Sequence, residues 1–165
     1  VVIVDIDLHA GDGTYEWVKK LINEGHNLYF VNLFCLQQYP WGDDPPSLTE
    51  DHNRIFNIAL PPRTNINSYT KTLKEFLFLV QKNMNAQPEV VLVSAGFDTA
   101  RTDKKYLGGI GFDFSTNDYK YISNTIKKSF SSEKKTKFFS VLEGGYDLKY
   151  LGARVVSYLE GFAFL

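Results

Sequence analysis

At 165 residues, 44% hydrophobic and 15% aromatic, the chain has the composition of one globular domain with a sizeable core, which excludes a disordered or fibrous segment. Its formal net charge is −1 and its Lys pairs (Lys19-Lys20, Lys104-Lys105, Lys127-Lys128, Lys134-Lys135) are scattered, so nothing suggests direct nucleic-acid binding. Cys35 is the only cysteine, no apolar run reaches membrane-spanning length, and no signal-peptide pattern is present, so an intracellular protein without an intrachain disulfide is expected.

Val1 to Val4 read as a buried parallel strand, and the alternation that follows puts Asp5, Asp7 and His9 on one side of its carboxyl end. Buried carboxylates need hydrogen bonds, cationic partners or a metal. An Asp oxygen and a His nitrogen two residues apart at a strand end suit a catalytic divalent cation, zinc first. A hydrogen-bonded strand terminus explains the same short pattern, and the pattern alone does not separate the two. The chain lacks Met at position 1 and opens inside this strand, which leads us to expect a piece of a longer protein.

After the turn at Gly11 and Gly13, Thr14 is expected to cap a helix with Tyr15, Val18, Leu21 and Ile22 inward, ended by Gly25. Asn27 to Phe34 reads as a second buried strand, and Cys35 beside it as an inert buried thiol. A long loop follows, broken by Pro40, Gly42, Pro45 and Pro46. Its Asp43, Asp44 and His52 could imitate a metal site, but a polar surface loop is the better reading because ligands need rigid support.

Arg54 to Leu60 gives a third strand, and Ile66 to Met84 a long helix with Tyr69, Leu73, Phe76, Leu77 and Val80 on one face. Glu89 to Ser94 is a fourth strand, running into Ala95-Gly96-Phe97-Asp98. The segment Thr99 to Gly111 reads as a charged loop, after which Ser115 or Thr116 caps a helix packed through Tyr119, Ile122, Ile126 and Phe130. Phe138 to Leu142 is the fifth strand and ends in Glu143-Gly144-Gly145-Tyr146; a last helix, Leu148 to Phe162, should bury Leu148, Leu151, Val155 and Leu159. This alternation predicts an α/β fold with a largely parallel sheet flanked by helices, in one domain.

Three strands thus end in polar or glycine-rich tips. If they converge, Asp7, His9 and Asp98 form a three-ligand metal site with an open position, the arrangement of catalytic zinc, and hydrolysis is the reaction class that follows. Tyr146, next to Gly144-Gly145, could donate its phenol proton to the developing oxyanion; an ordinary amphipathic aromatic at a helix start is the competing reading.

The motifs DIDLHAGDGT, SAGFD, LGG and LEGGYDL, in this order, resemble those of the zinc-dependent histone deacetylases and the related acetylpolyamine amidohydrolases, and the resemblance covers essentially the whole chain. It implies an arginase/deacetylase α/β fold, with residues 1–165 forming the C-terminal part of one catalytic domain. It implies Zn2+ held by Asp7, His9 and Asp98, and water attack on the acetyl amide of lysine with release of acetate. Tyr146 matches the family's transition-state tyrosine, and Gly145 a glycine beside the substrate channel. Asp5 and Asp12 match acids that orient two adjacent catalytic histidines. A monovalent cation, K+, is implied at Asp5, Asp7, His9, Asn32 and Leu33.

The departures matter as well. None of His9, His26 and His52 belongs to a pair, so the catalytic His pair is expected upstream, and this stretch alone should be inactive. Ala10 stands where the family has a second His. VNLFCLQQYPW replaces a Ser-Leu-His pattern, and Thr102 to Gly108 replaces a Gly-Asp-Pro-Leu-Gly run at the pocket rim. The resemblance implies acetylated histones or other acetyl-lysine proteins as substrates, a corepressor-type complex as partner, and residence in the nucleus or cytoplasm. Acetylated polyamines or other small amides are the alternative substrates, and a catalytically inactive scaffold with the same fold is the non-enzyme alternative.

Overall fold

The structure is a computed structural model that describes residues 1–46, 49–50, 53–131 and 136–163. Its strands are β1 (Val2–Asp5), β2 (Tyr29–Cys35), β3 (Thr49–Glu50), β4 (Ile55–Leu60), β5 (Val90–Ala95) and β6 (Lys137–Leu142). The helices are α1 (Asp12–Asn23), α2 (Ile66–Asn83), α3 (Tyr119–Phe130) and α4 (Leu148–Ala163). All lie in or on one sheet of order β3-β4-β2-β1-β5-β6, parallel except for the short edge strand β3. The five expected strands are therefore present, and β3 is an addition inside the proline-broken loop. The weaker reading of that loop as a metal mimic involves His52, which lies outside the described residues.

Alternation along β2 sorts its side chains between the two faces. Tyr29, Val31, Leu33 and Cys35 enter the main core with Leu73, Leu77 and Val80 of α2 and Ile122, Ile126 and Phe130 of α3. Phe30 points the other way and meets Tyr15, Val18 and Ile22 of α1. Helix α1 starts at Asp12 on an N-cap Gly11 that makes no side-chain cap bond, so Thr14 is inside the helix and does not cap it. Gly25, at φ 91°, turns the chain out of the helix as expected.

The expected apolar face of α4 holds at Leu151 and Val155, which pack partly buried on the core, and fails at its two other positions. Helix α4 buries Arg154, Ser157, Tyr158 and Gly161, whereas Leu148 and Leu159 are 79% and 55% exposed. The buried guanidinium has an acid to meet inside, and Gly161 allows close approach to α3: a Cβ there would lie 2.0 Å from Ser123 Oγ. Strand β6 is paired with β5 on one side only, and Phe139 and Val141 on it are 55% and 61% exposed. No helix of the described residues is long and apolar enough to cross a membrane.

Candidate functional site

The strand order reverses between β1 and β5: β1 is followed outward by β2 and β4 on one side, and by β5 and β6 on the other. Open parallel sheets leave a crevice beyond the carboxyl ends of the strands at such a point. The three polar tips meet there. Asp5 is in register with Asn32 of β2 and Ser94 of β5, and Asn32 with Asn57 of β4, so a polar row crosses the sheet just below the crevice.

Beyond Asp5 the backbone is held by carboxylates. The Asp7 N–H donates to Asp5 Oδ1 (3.0 Å), the Leu8 N–H to Asp98 Oδ1 (3.0 Å) and the His9 N–H to Asp7 Oδ1 (2.9 Å). These bonds fix the turn and leave Asp7 Oδ2 to accept from the Gly144 N–H at 2.8 Å. The Phe97 N–H in turn donates to the Gly144 carbonyl at 2.9 Å, tying the β5 tip to the β6 tip.

Asp7, His9 and Asp98 come together as expected, with one donor atom from each within 4.8 Å of the others. His9 Nδ1 is 3.0 Å from both Asp7 Oδ1 and Asp98 Oδ2. Asp98 is wholly buried, and its Oδ2, though close to the imidazole, accepts no hydrogen bond of good geometry. Donation from its ring N–H to Asp7, and then the closeness of the Asp98 carboxylate, push the imidazole up to about 10, against the effect of its own burial. Burial pushes the Asp98 and Asp5 carboxyls upward as well. So much negative charge behind a protein wall calls for a cation among the three side chains.

The backbone makes room for one. A Cβ on Gly96 would lie 2.1 Å from Asp7 Oδ2, and one on Gly144 2.4 Å from Asp98 Oδ2 and 2.6 Å from Asp7 Oδ2. Two carboxylate oxygens, one of them the under-bonded buried Asp98 Oδ2, one imidazole nitrogen and a glycine cradle fit a catalytic zinc.

The cluster opens on a cleft of about 390 Å³ lined by Asp5, Asp7, His9, Glu143, Gly144 and Tyr146, among others. Tyr146 is 48% exposed on this cleft, and partial burial followed by the charges of Asp98 and Asp7 raises its phenol above the ordinary range, which keeps it a proton donor. Gly145 does not line the cleft. It sits behind it at φ 131°, where a Cβ would lie 2.9 Å from Leu151 Cδ1 and 3.1 Å from Phe97 Cβ.

Asp12 is not in the cluster: it opens α1, and its Oδ1 accepts the Gly13 N–H at 2.9 Å. Asn32 is buried beside Asp5, accepting from the Gly11 N–H at 3.4 Å and donating to Asn57 Oδ1 at 3.3 Å. Leu33 points into the opposite core, so only its main-chain oxygen could serve a cation. Sequence reasoning missed Glu143 as a cleft residue and missed the buried pair Asp103–Arg154 beneath Tyr146. The helical spacing of Arg154, Ser157, Tyr158 and Gly161 was the available signal for the latter.

Comparison with known proteins bears on this geometry. A family model described as "Histone deacetylase domain" matches residues 1–162. The chain is 28% identical over 160 residues to type-2 histone deacetylase 2 of Dictyostelium discoideum, covering 90% of this chain and 9% of that protein. It is 23% identical over 162 residues to the chloroplastic histone deacetylase 10 of Oryza sativa subsp. japonica, covering 98% of this chain and 35% of that one. Among solved structures, an acetylpolyamine aminohydrolase from Burkholderia pseudomallei superposes with a TM-score of 0.70 at 18% identity, over 98% of this chain and 44% of that chain. The chain thus spans less than half the length of each of these proteins.

Proposed function

From the chain's membership of the histone deacetylase family, with its arginase/deacetylase α/β fold, we propose that it is the C-terminal part of a zinc-dependent amidohydrolase domain. Its reaction is hydrolysis of the acetyl amide of lysine in histones or other proteins, releasing acetate. The observation that carries this reading is the Asp7–His9–Asp98 cluster at the floor of a cleft on which Tyr146 also stands. The exposed apolar residues Phe139 and Val141 of β6, on the sheet face that α1 leaves uncovered, support a larger domain that continues over them.

Zinc held by Asp7, His9 and Asp98 would polarise the amide carbonyl and make water a nucleophile near neutral pH. The chain's own residues do the rest. Asp7 and Asp98 are fixed by the backbone N–H groups of Gly144 and Leu8, so the donor atoms need no reorganisation. The Tyr146 hydroxyl, kept protonated, donates to the amide oxygen as it gains negative charge. Asp5 and Asp12 hold the general acid-base histidines, which come from the remainder of the domain. Asp5, Asp7, His9, Asn32 and the Leu33 main chain would hold K+ close to the zinc.

Similarity to an acetylpolyamine aminohydrolase supports acetylated polyamines as a second substrate class. In either case, Tyr146→Phe in the full-length protein should retain zinc and lose about 10²- to 10³-fold in kcat. Unchanged kcat would remove Tyr146 from the mechanism. An acetylated histone partner, a corepressor-type complex and a nuclear or cytoplasmic site of action belong to the same proposal.

A further inference from the structure

Beneath the cleft, the segment that sequence reasoning left as a charged rim loop forms a 3-10 turn, Arg101–Tyr106, and carries Asp103 wholly out of solvent. Asp103 Oδ1 accepts two backbone N–H groups, from Tyr146 at 2.6 Å and from Asp147 at 3.0 Å. Its other oxygen, Oδ2, pairs with Arg154 Nη1, and Arg154 is 1% exposed. The same Nη1 donates to the Phe97 carbonyl at 3.3 Å, and Nη2 donates to Thr102 Oγ1. Phe97 immediately precedes Asp98. One buried ion pair therefore touches the turn that carries a metal-ligating carboxylate and the turn that carries the tyrosine.

On its other side the Tyr146 carbonyl accepts the Leu148 N–H at 3.1 Å as the chain enters α4, so Asp103 holds the amide side of this turn. Gly145 before Tyr146 is at φ 131°, a region that only glycine occupies freely, so the approach to Tyr146 depends on a residue with no side chain of its own to anchor it. A phenol that must meet a developing oxyanion needs its main chain held to a fraction of an ångström. We infer that Asp103, fixed by Arg154, is a positioning residue for Tyr146: it holds the Tyr146 and Asp147 amides so that the phenol stays registered against Asp98. The inference rests on the reading of Tyr146 as the donor to the amide oxygen.

A purely structural ion pair and a positioning acceptor respond oppositely to two variants of the full-length protein. Asp103→Asn keeps an oxygen acceptor for the two amides but leaves Arg154 buried without its counter-charge, so thermal stability should fall while kcat, read well below the melting temperature, stays within a few-fold. Asp103→Leu combined with Arg154→Met removes both charges and the acceptor together, so the fold is kept but the amides are released. Here kcat should fall about tenfold or more with KM and zinc content held, and hydrogen exchange at the Tyr146 and Asp147 amides should accelerate. Placed in a Tyr146→Phe background, the Leu/Met pair should cause no further loss of kcat, because the group it positions is already gone.

An equal loss in the Tyr146→Phe background, or kcat that simply tracks melting temperature, overturns the inference. Unchanged amide exchange in the Leu/Met variant overturns it too, and that readout needs no turnover. Should the wild-type protein hydrolyse no acetylated amide, the proposed reaction falls, while amide exchange still decides whether Asp103 holds this turn.

Discussion

Gly144 is where the metal account is most exposed to a single methyl group. A Cβ added there would stand 2.4 Å from Asp98 Oδ2 and 2.6 Å from Asp7 Oδ2, where ordinary contact begins at 3.4 Å. Neither side yields freely: the Gly144 N–H bonds Asp7 Oδ2 at 2.8 Å, and its carbonyl takes the Phe97 N–H at 2.9 Å. In Gly144→Ala the two carboxylates must therefore retreat by about 1 Å, whereas zinc ligands tolerate roughly 0.2 Å. Disturbing the groups that orient metal ligands costs roughly 10- to 100-fold in affinity, or about 1.4–2.8 kcal/mol, and direct displacement should reach the upper part of that range. The assay is competition for zinc between the full-length protein and a chromophoric chelator, alongside the melting temperature of the metal-free form. A zinc affinity within twofold of wild type, with the variant folded, would refute the assignment of Asp7 and Asp98 as ligands.

Two other perturbations test the packing that supports the site. Gly161→Ala puts a methyl 2.0 Å from Ser123 Oγ and 2.3 Å from the Lys120 carbonyl between α3 and α4, and should cost about 1–3 kcal/mol in equilibrium unfolding; an unchanged midpoint would contradict the close approach of these helices. Cys35 is wholly buried and its thiol is pushed up to about 12 by burial, so at pH 8 it should resist alkylation in the native protein and react once urea unfolds it. Peptide mapping after iodoacetamide treatment reads this directly, and rapid native labelling would contradict the burial of β2.

The sheet and the Asp7–His9 half of the cluster were legible from local rules, whereas Asp98, 90 residues away, joined them only through the supposed convergence of the strand tips and the family resemblance. Four-to-eight-residue apolar runs alternating with helical periodicity specify parallel strands and crossover helices, and the alternation Asp5, Asp7, His9 pointed to one side although β1 ends at Asp5 and carboxylate bonds hold the turn beyond it. What stayed hidden depends on contacts distant in sequence. Asp103 lies 51 residues from Arg154, and each alone reads as a surface charge until the fold brings them together. Arg154 then sets which side of α4 faces inward, and Leu148 and Leu159 come out exposed against their hydrophobicity. The polar signature of β3 within a proline-rich loop was equally silent, since two residues are too few for a period to show. Asp12, which the resemblance gives the role of orienting a histidine, stands at the start of α1 and accepts the Gly13 N–H, and the histidine it would orient is expected upstream of Val1.

The most direct test is zinc content and deacetylation of an acetyl-lysine peptide by the full-length protein, with and without a zinc chelator. The account predicts about one zinc per chain, acetate release that the chelator abolishes, and recovery on adding zinc back. Turnover that survives removal of the metal, or zinc bound with no hydrolysis of acetylated peptide or polyamine, would contradict it; the second result would leave the fold as a metal-bearing scaffold.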